Sequence, residues 1–264
     1  MLDDQLYILK ERVLVSVSGP DAFKFLQNLV TNDLGNSETC LIYAALLTPQ
    51  GKYLNDFFVI KKTDNTFLID IFHQSAEHFI KRLNIYKLRL RVDVELTDGI
   101  VCVGGSIAPN GAFFDPRDAK LGWRQYFLGD DIPSEAVELP VNMYEKLRVE
   151  LCIPETNVEL LVDKTFILEA GFERLSGVSF TKGCYVGQEV TARMRHKTEL
   201  QKGFVKVRIS GIIGDSSMEI MSEEKVAGSL FTRHENLAIA YLKFRYIDTP
   251  LRVGEANLEF LKKF

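Results

Sequence analysis

The sequence has no uninterrupted apolar run of about 18 residues, the length a membrane-spanning helix needs. Its start, Met1-Leu2-Asp3-Asp4-Gln5, is acidic and shows neither a secretory apolar region nor an Arg-rich transit pattern, so a cytoplasmic chain is expected. Cysteine is sparse: Cys40, Cys102, Cys152 and Cys184 form no C-x-x-C pair and no metal-ligand spacing with the 4 histidines. Free thiols and no metal site are the expectation. There is no excess of positive charge either. The net charge of -4 argues against nonspecific nucleic-acid binding by the whole surface, although a local basic patch could still hold phosphates. Internal repeats and low-complexity segments are also missing. What remains is 264 residues of ordinary soluble composition, 46% hydrophobic and 26% charged, long enough for two or three compact units.

Along the chain, Glu11 to Ser18 alternates as a strand and meets Ser18-Gly19-Pro20-Asp21, after which Phe23, Leu26, Leu29 and Val30 mark a helical stripe. From Cys40 the period drops to two. Strands are predicted over 41–47, 54–60 and 67–72, with turns at Thr48-Pro49-Gln50-Gly51 and Thr63-Asp64-Asn65. A helix carrying Phe79, Leu83 and Tyr86 follows, then strands over 90–96, 100–104 and 123–128, which together read as one mixed, mostly antiparallel α+β unit. Residues 129–140 read as a linker and 141–152 as a helix ended by Pro154. The stretch 155–181 has no clear period, and long connections of this kind are more often functional than accidental. The remainder, from Lys202 onward, reads as short strands between turns, a small β-barrel or sandwich.

The densest mixture of chemical groups is Lys182-Gly183-Cys184-Tyr185-Val186-Gly187-Gln188-Glu189, continuing to Arg193, Arg195, His196 and Lys197. If a helix begins near Tyr185, Cys184 sits at its N-terminus with Lys182 two residues back, and both features favour thiolate. The alternative is an inert core cysteine packed between two glycines. Gly183 and Gly187 allow unusual backbone angles or a close approach by ligand or chain. Gln188 and Glu189 suit a helix start, while the cations at the helix end suit its dipole or an anion. Two carboxylates, Glu150 and Glu169, lie in apolar surroundings and need donors. Arg148 is a candidate partner for Glu150, and a heterocycle with adjacent N–H and NH2 groups is another.

The run Lys182 to Glu189, with Ala192-Arg193 after it, resembles the Lys-Gly-Cys-Tyr-x-Gly-Gln-Glu signature of the YgfZ family of folate-binding proteins, to which a mitochondrial iron–sulfur assembly factor is related. Phe25 to Asp33, Gly51-Lys52, Asp115-Pro116-Arg117 and Leu121-Gly122-Trp123-Arg124 resemble further segments of that family. The family is similar in fold to the glycine-cleavage T-protein, an aminomethyltransferase whose three domains form a ring around tetrahydrofolate. The resemblance implies an α+β fold of three domains with a C-terminal β-barrel: residues 1–45 with 140–200 as a discontinuous folate-binding domain, 46–139 as a second α+β domain, and 201–264 as the barrel.

The same resemblance implies tetrahydrofolate or a one-carbon derivative as cofactor. Glu150, in Leu147-Arg148-Val149-Glu150, would be its pterin contact, with Glu169, Tyr185, Gln188 and Arg193 as further binding residues and Cys184 as a redox or transfer group. T-proteins carry an Asp-Asp pair where this chain has Asn55-Asp56, which fits the non-transferase branch. The implied function is assembly or repair of iron–sulfur clusters in client enzymes, supporting tRNA modification indirectly. Implied partners are folate and iron–sulfur client or assembly proteins, with no membrane and no direct nucleic acid. A folate-dependent one-carbon transferase and an adaptor that binds protein or RNA without folate remain the alternatives.

Overall fold

The computed structural model describes residues 2, 5–131, 133–197, 199–214 and 218–263; Met1, Asp3 and Asp4 of the acidic start and the Lys197 side chain of the basic cluster lie outside them. After the two-residue β1 (Tyr7–Ile8), the alternating segment forms β2 (Arg12–Ser18). Gly19 then turns the chain at φ +122°, pressed against the Arg91 carbonyl so closely that a Cβ would come within 2.2 Å. The helix α1 (Ala22–Gln27) is shorter than its apolar stripe, and Leu29 and Val30 are buried beyond its end.

Next come β3 (Ile42–Leu47), β4 (Tyr53–Thr63), β5 (Thr66–Phe72), α2 (His73–Lys87) and β6 (Asp93–Thr97). These strands make an antiparallel sheet in the order β3-β4-β5-β2-β6. Ala76, Phe79 and Leu83 of α2 fall at helical spacing and bury against Val15, Phe57 and Ile69 of this sheet.

A second sheet is built from β7 (Gly99–Gly104), β8 (Phe113–Phe114), β9 (Trp123–Leu128) and β10 (Val137–Glu138) in the order β10-β1-β7-β9-β8. The strands expected in one unit therefore divide between two sheets. The physical reason is visible in β7, where Val103 packs with Leu121 in a core away from the α2-covered face. α3 (Val141–Leu151) ends at Cys152, whose φ of +51° reverses the chain. From Cys152 to Gly187 there is no helix or strand beyond isolated bridges, and α4 (Gln188–Lys197) follows.

The C-terminal strands, β11 (Lys202–Ser210), β12 (Glu219–Ser222), β13 (Lys225–His234), β14 (Leu237–Lys243), β15 (Leu251–Val253) and β16 (Ala256–Lys263), close a six-stranded barrel in the order β11-β14-β13-β12-β15-β16. Alternation along β11 places Val205 and Val207 inside the barrel and turns Phe204 outward. Phe204 and Ile239 there join the largest core, with Tyr43 and Phe58 of the first sheet, Val103 of the second, Val149 of α3, and Ile167 and Phe172 of the irregular segment. The segment without regular structure thus fills the junction between both sheets and the barrel.

Candidate functional site

A cavity of about 270 Å³ opens where the β1–β2 connection, β4, α3 and residues 154–156 meet. On α3 its lining residues are Val141, Tyr144, Glu145 and Arg148, the i, i+3, i+4, i+7 stripe of one helix face. Glu150 is two residues from Arg148 and so points roughly 200° away around the helix. It is not among the lining residues, and its backbone carbonyl accepts Lys206 Nζ at 2.8 Å.

Behind one wall of the cavity runs a chain of buried charges, of which only the two ends, Arg12 and Arg117, line it. Arg12 Nε donates to Asp70 at 2.6 Å, Arg124 Nη1 donates to Asp70 at 2.9 Å, Arg124 Nε donates to Asp115 at 3.1 Å, and Arg117 Nη2 donates to Asp115 at 2.7 Å. The Phe58 ring lies 5.6, 4.1 and 4.8 Å from the guanidinium carbons of Arg12, Arg124 and Arg117. Burial pushes the Asp115 carboxyl up, but the charges of Arg117 and Arg124 outweigh it and bring it to about 2. Three cations against two anions leave the chain positive, and both of its ends, Arg12 and Arg117, face the cavity. The sequence carried a signal for this wall in Asp70, a carboxylate inside the apolar strand Phe67-Leu68-Ile69-Asp70-Ile71-Phe72.

Asn55 and Asp56 point to opposite sides of β4. Asp56 lines the central cavity, whereas Asn55 lines a separate groove beside α2. Asp56 accepts hydrogen bonds from Tyr53 at 2.6 Å, Thr156 at 2.5 Å and Tyr43 at 3.0 Å. Burial and the Asp56 charge raise both phenols well above their ordinary values, so the hydroxyls stay protonated as donors. Arg148 is not the partner of Glu150. It donates to Glu159 at 3.0 Å, to the Ile153 carbonyl at 2.9 Å and to Thr232 of β13 at 2.9 Å, and lies 3.4 Å from Glu155. Burial raises the Glu155 carboxyl, with Arg148 opposing it.

The cysteine-bearing loop is held from below. Lys182 Nζ is buried and donates to the carbonyls of Gln27, Val30 and Asn32 at 2.7, 2.7 and 2.8 Å, at the last residue of α1 and just beyond it. Burial pushes this ammonium down to about 8, with Asp33 opposing the shift. Cys184 is exposed, and a Cβ on the neighbouring Gly183 would meet nothing within 4 Å. Two sequence arguments for a thiolate fail here: α4 begins at Gln188, four residues after the thiol, and the Lys182 ammonium is turned inward. The packed-core alternative fails as well, because the thiol is open to solvent. Gly187, at φ +84°, is where the chain makes its close approach: a Cβ would come 2.7 Å from the Thr48 carbonyl and 3.1 Å from Gly51 Cα.

The other expected site residues are dispersed. Tyr185 is buried in the junction core, its phenol pushed up to about 12 by burial. Gln188 is half-buried at the start of α4 and Arg193 is exposed on its surface. Glu169 faces the barrel, accepting Tyr241 Oη at 2.5 Å with Lys202 Nζ at 3.8 Å. None of these, nor Cys184, lines the central cavity.

Residues 11–103 match the GCVT N-terminal domain model and residues 201–263 match the CAF17 C-terminal β-barrel domain model. The fold is that of the glycine cleavage system aminomethyltransferase T from Bartonella henselae, whose structure superposes with a TM-score of 0.80 at 13% identity, covering 100% of this chain and 86% of that one. The chain is 34% identical over 212 residues to the mitochondrial iron–sulfur cluster assembly factor IBA57 homolog of Pyricularia oryzae, covering 74% of this chain and 54% of that one. It therefore spans about half the length of that fungal relative. It is 30% identical over 292 residues to mitochondrial IBA57 of Mus musculus, covering 96% of this chain and 81% of that one. The mitochondrial names of these relatives overturn the cytoplasmic expectation, which rested only on the composition of the first residues. With the T-protein-like fold, the two matched domain models and a mouse relative aligned over nearly the full chain, this protein belongs to the IBA57 family of iron–sulfur cluster assembly factors.

Proposed function

We propose that this protein works in mitochondria in the assembly or repair of iron–sulfur clusters, presenting Cys184 to a partner while the central cavity takes a reduced folate. The observation that carries the reading is an exposed thiol on a loop whose stem is fixed by three buried hydrogen bonds from Lys182. Among the described residues no group of three or more His, Cys, Asp or Glu is arranged to hold a metal ion. A cluster handled here as cargo would therefore take its remaining ligands from the partner. Support for tRNA modification would follow indirectly, through iron–sulfur enzymes that act on tRNA.

The cavity fits a pterin-sized ring with an anionic extension. Its volume of about 270 Å³ lies just under the usual range of ligand pockets, which suits a ring inside with the extension at the mouth. Glu155 supplies a carboxylate for an N–H and NH2 fork, and Arg12 and Arg117 supply cations for a glutamate tail. The folate would contribute a one-carbon carrier. The chain's own residues would orient the ring and neutralise the tail, while Tyr43, Tyr53 and Thr156 hold the Asp56 carboxylate. Both Asp56 oxygens already accept hydroxyl hydrogens, which disfavours the transferase alternative despite this carboxylate facing the cavity.

Two measurements test the reading. In cells lacking the protein, Cys184→Ala is expected to fold normally and fail to restore iron–sulfur enzyme activity; full rescue would remove the thiol from the function. Calorimetric titration with tetrahydrofolate is expected to show binding that Glu155→Gln weakens about tenfold and Glu150→Gln leaves unchanged, from loss of one charge-assisted hydrogen bond. No heat with the unmutated protein would sink the folate part and leave an adaptor without cofactor.

A further inference from the structure

From His78 to Arg91 the sequence holds Lys81, Arg82, Lys87, Arg89 and Arg91 and no carboxylate, in a chain whose net charge is -4. Lys81 pairs with Glu77 and Arg91 with Asp21, whereas Arg82, Lys87 and Arg89 make no ion pair among the described residues. The segment covers the second half of α2 and the turn after it. There the Leu90 N–H donates to the Lys87 carbonyl at 2.7 Å, closing a turn with Leu88 and Arg89 at its corners. Leu88 has φ +45° and ψ -108°, a combination that glycine adopts freely and a leucine adopts only under strain. Its side chain gains no packing in return, being part of a residue 85% exposed, and Ile85, one helical turn earlier, is 71% exposed.

We propose that this corner is a peripheral docking surface for anionic lipid, with Leu88 and Ile85 entering the headgroup boundary and Arg82, Lys87 and Arg89 meeting lipid phosphates. Apolar residues that stand proud of a turn and are flanked by long cationic stems suit a planar interface. Ile85 and Arg82 also border the groove beside α2 that Asn55 lines, but Leu88, Lys87 and Arg89 lie outside it, and a groove for an acidic peptide would recess the apolar tip instead. The expectation of no membrane partner rests on the lack of a span. No helix among the described residues is long and apolar enough to cross a membrane, but an element lying on the surface needs no such length. Electrostatic attraction and one or two apolar side chains give reversible attachment rather than anchoring.

The test is cosedimentation of the full chain with vesicles of phosphatidylcholine, with and without phosphatidylglycerol. Binding is expected only with the anionic lipid, and is expected to fall about tenfold between roughly 0.1 and 0.5 M salt. The combined variant Arg82→Glu, Lys87→Glu, Arg89→Glu is expected to lose binding. Leu88→Gly is the decisive variant, because it removes the apolar tip and the backbone strain together. It should bind about tenfold more weakly and yet melt at a higher temperature than the unmutated protein. No preference for anionic vesicles overturns the proposal. So does salt-sensitive binding that Leu88→Gly leaves unchanged, since the cations alone would then be acting, as they would against an acidic protein.

Discussion

The cavity wall and the cysteine loop solve opposite problems. The wall, from Arg12 through Asp70, Arg124 and Asp115 to Arg117, is a closed set of buried charges in which each carboxylate meets at least two guanidinium donors. The loop presents a single open thiol between fixed neighbours, Lys182 bonded to three carbonyls on one side and buried Tyr185 on the other. A ligand that must be recognised by shape calls for the first arrangement, because prealigned charges need no reorganisation when it binds. A group that must meet a partner calls for the second.

The contrast predicts a steep gradient of effects. Arg124→Met should be the most damaging change, costing about 3–5 kcal/mol in denaturant unfolding, because it leaves two buried carboxylates each short of a cation. If it cost under 1 kcal/mol, the wall would not be the closed network described. Acid should weaken the same region next. The Asp115 carboxyl is lowered to about 2 from an ordinary value near 3.8, so its contribution of about 2.5 kcal/mol is complete above pH 3.8 and is lost as pH falls towards 2. Unfolding curves between pH 5 and 2 for the unmutated protein and Asp115→Asn, compared in slope, measure it.

Lys182→Met should cost about 2 kcal/mol by leaving three carbonyls without their donor, and should speed hydrogen exchange across residues 179–187 more than along β4. Uniform exchange in both regions would contradict a loop whose stem depends on the Lys182 anchor. Cys184→Ala should be the mildest, within about 0.5 kcal/mol. Alkylation of the native protein should label Cys40 and Cys184 and spare Cys102 and Cys152, whose buried thiols are pushed up to about 12.

Elements set by local pattern were visible in the sequence. Period-two alternation gave β2, β5 and β9 within a residue or so of their ends, and the C-terminal strands, which read as a barrel or a sandwich, close as a barrel. What could not be seen was partnership at long range. Val103 and Val15 look alike in sequence, yet one serves the junction core and the other the α2-covered core. Arg148 looked like a neighbour's counter-ion and instead reaches Glu159 and the barrel. The motif around Cys184 stood out by composition, but the direction of Lys182 depends on carbonyls about 150 residues earlier, which no local spacing encodes.

The back-to-back glycines 51 and 187 give the molecule a strut. Gly51 closes the turn that leads into β4, and five residues further along that strand Asp56 stands in the cavity, a span of about 17 Å at strand spacing. Because Gly187 touches that turn with no clearance for even a methyl group, the thiol loop rests on one end of a member whose other end forms the cavity floor. Displacement at either end has no slack in which to be absorbed.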